Sequence, residues 1–253
     1  GYVFLDPFLD NVEYGYLYWG RGNTGLVVMD DGSGALVEVP PFDPSENTSE
    51  HGIVADLRAD GSAEIVADAG VSGLFDRKCR IALKDATESE VQKFFEQATG
   101  SIGPGATDID HFMTDLKDLT EPIRVQQTID APDFAVPQGD MMIVRVPEFP
   151  FAFARVGVEP SLAERSFSFM VPAELVSAYE FRARIPEGYE PIRIPEPIEI
   201  RTDDAVFELA CEWVPEERSV VWMKHIEFLS RRIPEERYAD FKAAYDRLLS
   251  PKN

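Results

Sequence analysis

Few positions in this sequence combine residue types and spacing that could carry chemistry. Gly20-Arg21-Gly22-Asn23-Thr24-Gly25 has the letters of a dinucleotide fingerprint, a motif that works because a helix N-terminus directly after it receives the pyrophosphate. Here Leu26-Val27-Val28-Met29 and a turn come next, so that physical basis is missing and the segment reads as a loop. His51, His111 and His225 each stand without a second histidine nearby, and neither Cys79 nor Cys211 sits in a C-x-x-C pair, so the spacing for zinc is absent. Asp108-Ile109-Asp110 and Asp203-Asp204 lack the ligand spacing and glycine of a calcium loop. No G-x-S-x-G occurs, and neither cysteine has the signature of a nucleophile held against a base. Paired carboxylates for sugar hydrolysis carry no weight among 46 acids. The expectation is no metal and no cofactor.

Two features point to surfaces. Tyr14, Tyr16, Tyr18 and Trp19 could stack on sugars, with Tyr18 and Trp19 the candidate ligand-binding residues, although packing of a strand accounts for at least two of the four. Asn47-Thr48-Ser49 satisfies the glycosylation sequon and reads as an exposed polar segment.

These residues must be positioned by elements, and strand signals dominate. Ile53 to Arg58 alternate, Asp60-Gly61 turns, and Ala63, Ile65 and Ala67 return at period two. Leu26 to Met29 and Ala35 to Val39 flank Asp31-Gly32 in the same way, and further strands fit 123–129, 141–146, 179–185, 206–213 and 220–228. In the last pair Phe207, Leu209, Cys211 and Trp213 share one face, which makes Cys211 a core residue. Val220, Trp222, Ile226 and Phe228 share a face with Lys224 as the polar intruder, which either snorkels near a sheet edge or is paired. Thr87 to Glu90 is a capping box opening one short helix with Val91, Phe94, Phe95 and Ala98 on its apolar stripe, ending at Gly100. Pro234 opens a second helix carrying Tyr238, Phe241, Tyr245 and Leu248. Short strands at regular spacing predict a mainly β fold, a β-sandwich or jelly-roll-like module, with one internal and one C-terminal helix. Prolines mark Pro40 to Glu50 as the first linker candidate and Glu148 to Glu164 as the second.

The chain has 253 residues, enough for one large domain or two small ones. Its 24 Lys and Arg against 46 Asp and Glu give a net charge of -22, which would repel a phosphate backbone, so nucleic acid is not expected as a partner. No apolar stretch approaches the ~20 residues needed to span a bilayer. The two cysteines could bridge, though free buried thiols are the simpler reading. The opening Gly1-Tyr2-Val3-Phe4 lies inside a strand-like run, and the chain reads as a piece of a longer protein.

The ends carry a resemblance. Tyr2-Val3-Phe4-Leu5-Asp6-Pro7 resembles the strand-Asp-Pro segment closing the papain-like core of bacterial transglutaminase-like proteins. Tyr14-Gly15-Tyr16-Leu17, Leu26-Val27-Val28 and Val37-Glu38-Val39-Pro40 resemble the segment C-terminal to that core. Val220 to Lys224 and Ile233 to Phe241 resemble the end of the β-rich region after it, a domain of unknown function. The resemblance implies that Asp6 holds the third place of a Cys-His-Asp triad whose Cys and His lie outside this chain. It further implies a transglutaminase-like core as partner within the same polypeptide, and a periplasmic or extracytoplasmic location.

Residues 1–44 are then expected to be the residual end of that core and a linker. Residues 45–253 would be the sandwich module, with a division near 148–164 as an option. The expected function is a non-catalytic accessory module that supports the core or binds an envelope polysaccharide or protein. The alternatives are an independent carbohydrate- or protein-binding sandwich, a structural spacer, and a hydrolase whose acidic pair would need a deep cleft.

Overall fold

Alternation at period two sets most of the architecture. The computed structural model describes residues 12, 14–17, 24–29 and 31–249. β1 (Thr24–Val28) and β2 (Gly34–Glu38) form the hairpin expected around Asp31-Gly32, where Ser33 N–H donates to Asp31 Oδ1 at 2.8 Å. β3 (Thr48–Leu57) buries Ser49, His51, Ile53, Ala55 and Leu57, and β4 (Ala63–Val71) buries Ala63, Ile65, Ala67, Ala69 and Val71. Gly61 turns between them at φ +90°, and a Cβ there would run into Ala135 O, so only glycine fits.

After β4 come α1 (Leu74–Leu83) and α2 (Glu88–Ile102), then β5 (Thr107–Met113), β6 (Ile123–Ala131), β7 (Ala135–Gln138) and β8 (Met141–Val144). An irregular stretch leads to β9 (Phe169–Met170), β10 (Leu175–Arg184), β11 (Ile198–Arg201), β12 (Ala205–Val214), β13 (Ser219–Phe228), β14 (Arg232–Ile233) and α3 (Glu235–Leu249). The main sheet runs β11-β12-β13-β10-β3-β4-β6-β5, and every neighbouring pair is antiparallel except β10 with β3. Two antiparallel four-stranded halves thus meet at one parallel seam.

The expected sandwich is not what forms: the described residues make a mixed α/β fold, an eight-stranded sheet with three two-stranded ladders and three helices. Its open face carries charged residues such as Glu50, Asp56, Glu64, Glu180, Arg182 and Glu208, as suits an antiparallel sheet solvated on one side. Its apolar face is covered by helices and by irregular chain. α2 obeys its capping box, with Thr87 and Glu90 reciprocally bonded, but it runs past Gly100 to Ile102. α1 was not expected. Its cap, Gly73, offers no side-chain acceptor, and charges interrupt the stripe Phe75, Cys79 and Leu83. Cys79 and Cys211 are free thiols, the first buried and the second half-buried, so Cys211 is less of a core residue than its strand face suggests.

Neither linker candidate connects loosely. Residues 148–164 form a strap across the apolar face, with Phe149, Phe151 and Phe153 buried and Phe151 stacked on Phe94 of α2 at 5.4 Å. Pro-rich backbone cannot join a ladder, so side chains satisfy its carbonyls. Tyr179 Oη donates to Pro147 O at 2.7 Å, Ser49 Oγ to Ala154 O at 2.8 Å, Tyr245 Oη to Val158 O at 2.5 Å, and Tyr238 Oη to Leu162 O at 2.7 Å.

The other candidate, Pro40 to Glu50, contains a capped 3-10 turn over Pro44–Glu46 and then Asn47, which is fully buried rather than exposed. Asn47 Nδ2 donates to Glu174 O at 2.9 Å, while its Oδ1 accepts from Leu74 N–H at 2.8 Å and from Tyr16 Oη at 3.1 Å. Its backbone O accepts from Val176 N–H at 3.0 Å. An enclosed amide already donating to Glu174 cannot carry a glycan in the folded state. Asn47→Ala strands one buried donor and one buried acceptor, so the stability read from urea unfolding should fall by about 2–4 kcal/mol. A loss below about 1 kcal/mol would remove Asn47 as the tie between β3, β10 and α1.

Candidate binding cleft

One row of side chains crosses four neighbouring strands on the covered face. Leu209 of β12 pairs with Lys224 of β13, Lys224 with Tyr179 of β10, and Tyr179 with His51 of β3. The strap and α3 stand over this row and leave a cleft of about 1130 Å³, walled also by Trp222, Ile226, Val156, Val158, Tyr245 and Leu248.

His51 is packed between aromatic rings, 5.3 Å from Tyr179 and 4.6 Å from Phe149 between centroids. Its Nδ1 lies 3.0 Å from Ser49 Oγ. The single hydroxyl proton of Ser49 goes to Ala154 O, so Oγ must accept from Nδ1–H, which leaves Nε2 as the ring's acceptor. Burial, helped by the charges of Lys224 and Arg155, lowers the His51 pKa to about 4. Ser49 is therefore not offered to a base, and no serine–histidine nucleophile is assembled here.

Lys224 lies in the interior of the sheet between β12 and β10, so it is not at an edge. Nor is it paired. Its Nζ sits over the Tyr179 ring, 5.6 Å from the centroid, and among the described residues nothing accepts a hydrogen bond from it and no carboxylate lies within ion-pair distance. Burial lowers its pKa, and the nearby Glu148 partly offsets this. The other cations lining the cleft are engaged, Arg155 with Glu148 at 2.5 Å and Lys242 with Asp246 at 2.7 Å. Burial likewise raises the pKa of the Tyr179 hydroxyl, with the Glu148 charge adding to it.

The other candidate residues are elsewhere. Asp6, Tyr18 and Trp19 lie outside the described residues, as does most of the glycine-rich run, which leads directly into β1. Tyr14 is exposed, whereas Tyr16 packs on Phe42 at 5.2 Å and bonds Asn47. His111 stacks on Phe95 at 4.0 Å and meets Asp108 at 2.7 Å, a contact that ties β5 to α2. Burial pushes the Cys79 thiol up to about 12 and raises that of Cys211, so neither is poised as a thiolate. Among the described residues no group of three or more His, Cys, Asp and Glu is placed to hold a metal ion. Of the polar residues in the cleft, Lys224 stands out in the sequence as an intruder on an apolar face. His51 and Tyr179 meet across a parallel pairing that no local pattern announces.

His51 gives a pH-dependent signature. Its folded pKa lies below the 6.5 of an unfolded histidine, so the unfolded chain takes up the proton first. Stability from this residue is complete above pH 6.5 and is lost as pH falls through about 4, by roughly 3 kcal/mol in all. Imidazole NMR shifts should place the His51 midpoint near 4, and a midpoint near 6.5 would contradict the packed, neutral ring.

No curated protein and no solved structure matches the chain. Residues 140–253 match the family described as Domain of Unknown Function with solved-structure structure (DUF3858), so the strap, β10 to β13 and α3 lie in a DUF3858 domain.

Proposed function

We propose that this chain is a non-catalytic accessory module that holds a ligand in the cleft beneath the strap. The observation that carries this reading is the row Leu209, Lys224, Tyr179 and His51, which sets one unpaired ammonium in a mostly apolar recess. Convergence of a few polar groups in a large apolar cavity is the ordinary form of a ligand site. Catalysis is not favoured there, because the Ser49 hydroxyl is spent on Ala154 O and two of the lining carboxylates, Glu148 and Asp246, are held by cations. The same engagement argues against a hydrolase with a free acidic pair.

In this proposal the module serves a transglutaminase-like core in the same polypeptide, in a periplasmic or extracytoplasmic setting. That part rests on the resemblance around Asp6 and at the tail. The DUF3858 match covers residues 140–253, does not reach Asp6, and links the domain to no activity.

A neutral apolar dye, N-phenyl-1-naphthylamine, tests the cleft as a binding site. Wild type should show one saturable site, with tryptophan emission changing in step and that change lost in Trp222→Phe. Ala152→Trp, at an exposed position lining the cleft, should weaken binding at least tenfold. Absence of saturable binding, or binding indifferent to Ala152→Trp, would overturn the reading.

A further inference from the structure

We propose that the ligand is a monocarboxylate with an apolar body, its carboxylate on Lys224 and its body along Trp222, Ile226, Val158 and Leu248. This rests on the cleft being a binding site, and the class follows from the charges that line it.

Three cations line the cleft, and two are already neutralised by carboxylates of the same lining. The third, Lys224, is held by β13 in mid-sheet with an aromatic face beneath it; the Glu148 charge reaches it, but among the described residues no carboxylate is within ion-pair distance. A partly buried cation without a partner is costly, and a ligand carboxylate removes that cost in the bound state alone. An amine would be repelled, and an alcohol would leave the charge uncompensated. Burial disfavours the charged amine in the empty cleft, and a bound anion would favour it again.

Higher anions do not fit. Glu159 lines the cleft with no cation on it among the described residues, and the whole chain carries a net charge of -22, so the second charge of a phosphate ester or polyanion meets repulsion for which one lysine does not compensate. Neither Tyr179 nor Tyr245 can add a donor, since both hydroxyls are committed to strap carbonyls. Lys224 is thus the one charged anchor, with the Ser177 hydroxyl a neutral donor in the same lining, and the rest of the affinity must come from apolar contact. The walls suit this: Trp222, Ile226, Val158 and Leu248 line a cleft of about 1130 Å³, slightly larger than the ~300–1,000 Å³ typical of small-molecule sites.

The test is calorimetric titration of the full chain with octanoate, octanol and octylamine. Wild type should bind octanoate at least tenfold more tightly than octanol, with octylamine weakest. Lys224→Met should collapse the octanoate-to-octanol ratio to near one, and Lys224→Arg, which keeps the cation, should retain a clear preference. Equal binding of octanoate and octanol by wild type, or a ratio unchanged in Lys224→Met, would overturn the carboxylate class while leaving a neutral cleft binder. Binding of none of the three would overturn both this inference and the reading it rests on.

Discussion

The parallel pairing of β3 with β10 is the constraint on which the rest depends. It joins segments 128 residues apart and is anchored at its start by Asn47, whose side chain and backbone bond to Glu174, Leu74 and Val176 together. Gly73 is part of the same knot. At φ +56° a Cβ there would run into Glu46 O and Asn47 Oδ1. Buried polar groups tolerate little slippage, because each unmade bond costs its full desolvation. A one-residue slip of β10 against β3 would carry Tyr179 to the open face and away from His51.

This seam also makes the cleft a joint product. The residues matching DUF3858 supply the strap, Tyr179, Lys224 and α3. His51 and Ser49 come from β3, far upstream, and Ser49 is one of the groups that tie the strap down. The apolar face is therefore roofed not by a second large sheet but by helices and by a proline-rich strap whose carbonyls are answered by three tyrosines and a serine. Within a strongly acidic molecule, that roof shelters a lysine with no carboxylate at ion-pair distance among the described residues.

Local physics is legible in the sequence. The β3–β4 turn at Asp60-Gly61, the shared face of Phe207, Leu209, Cys211 and Trp213, and Lys224 among apolar neighbours all follow from period two, and all appear in the structure. The Thr87 capping box and the stripe on α3 are equally readable. Periodicity cannot report how the strands divide among sheets, so the same alternation suits a sandwich as well as the eight-stranded sheet and three two-stranded ladders found among the described residues. Nor can it report that proline-rich chain is core, as Phe149, Phe151 and Phe153 make it, or that a sequon asparagine is wholly enclosed. α1 escapes because its capping glycine provides no side-chain signal. The cleft is only partly legible, since two of its polar residues meet solely through the parallel seam.

Native-state hydrogen exchange across that seam tests the account most directly. If both halves form one body with a shared cleft floor, the slowest amides of β3 and β10 should open with the same free energy and the same dependence on denaturant. Opening of β3 at a distinctly lower free energy, with β10 to β13 still protected, would mean that the upstream half separates and that the cleft is not a feature of a single cooperative unit.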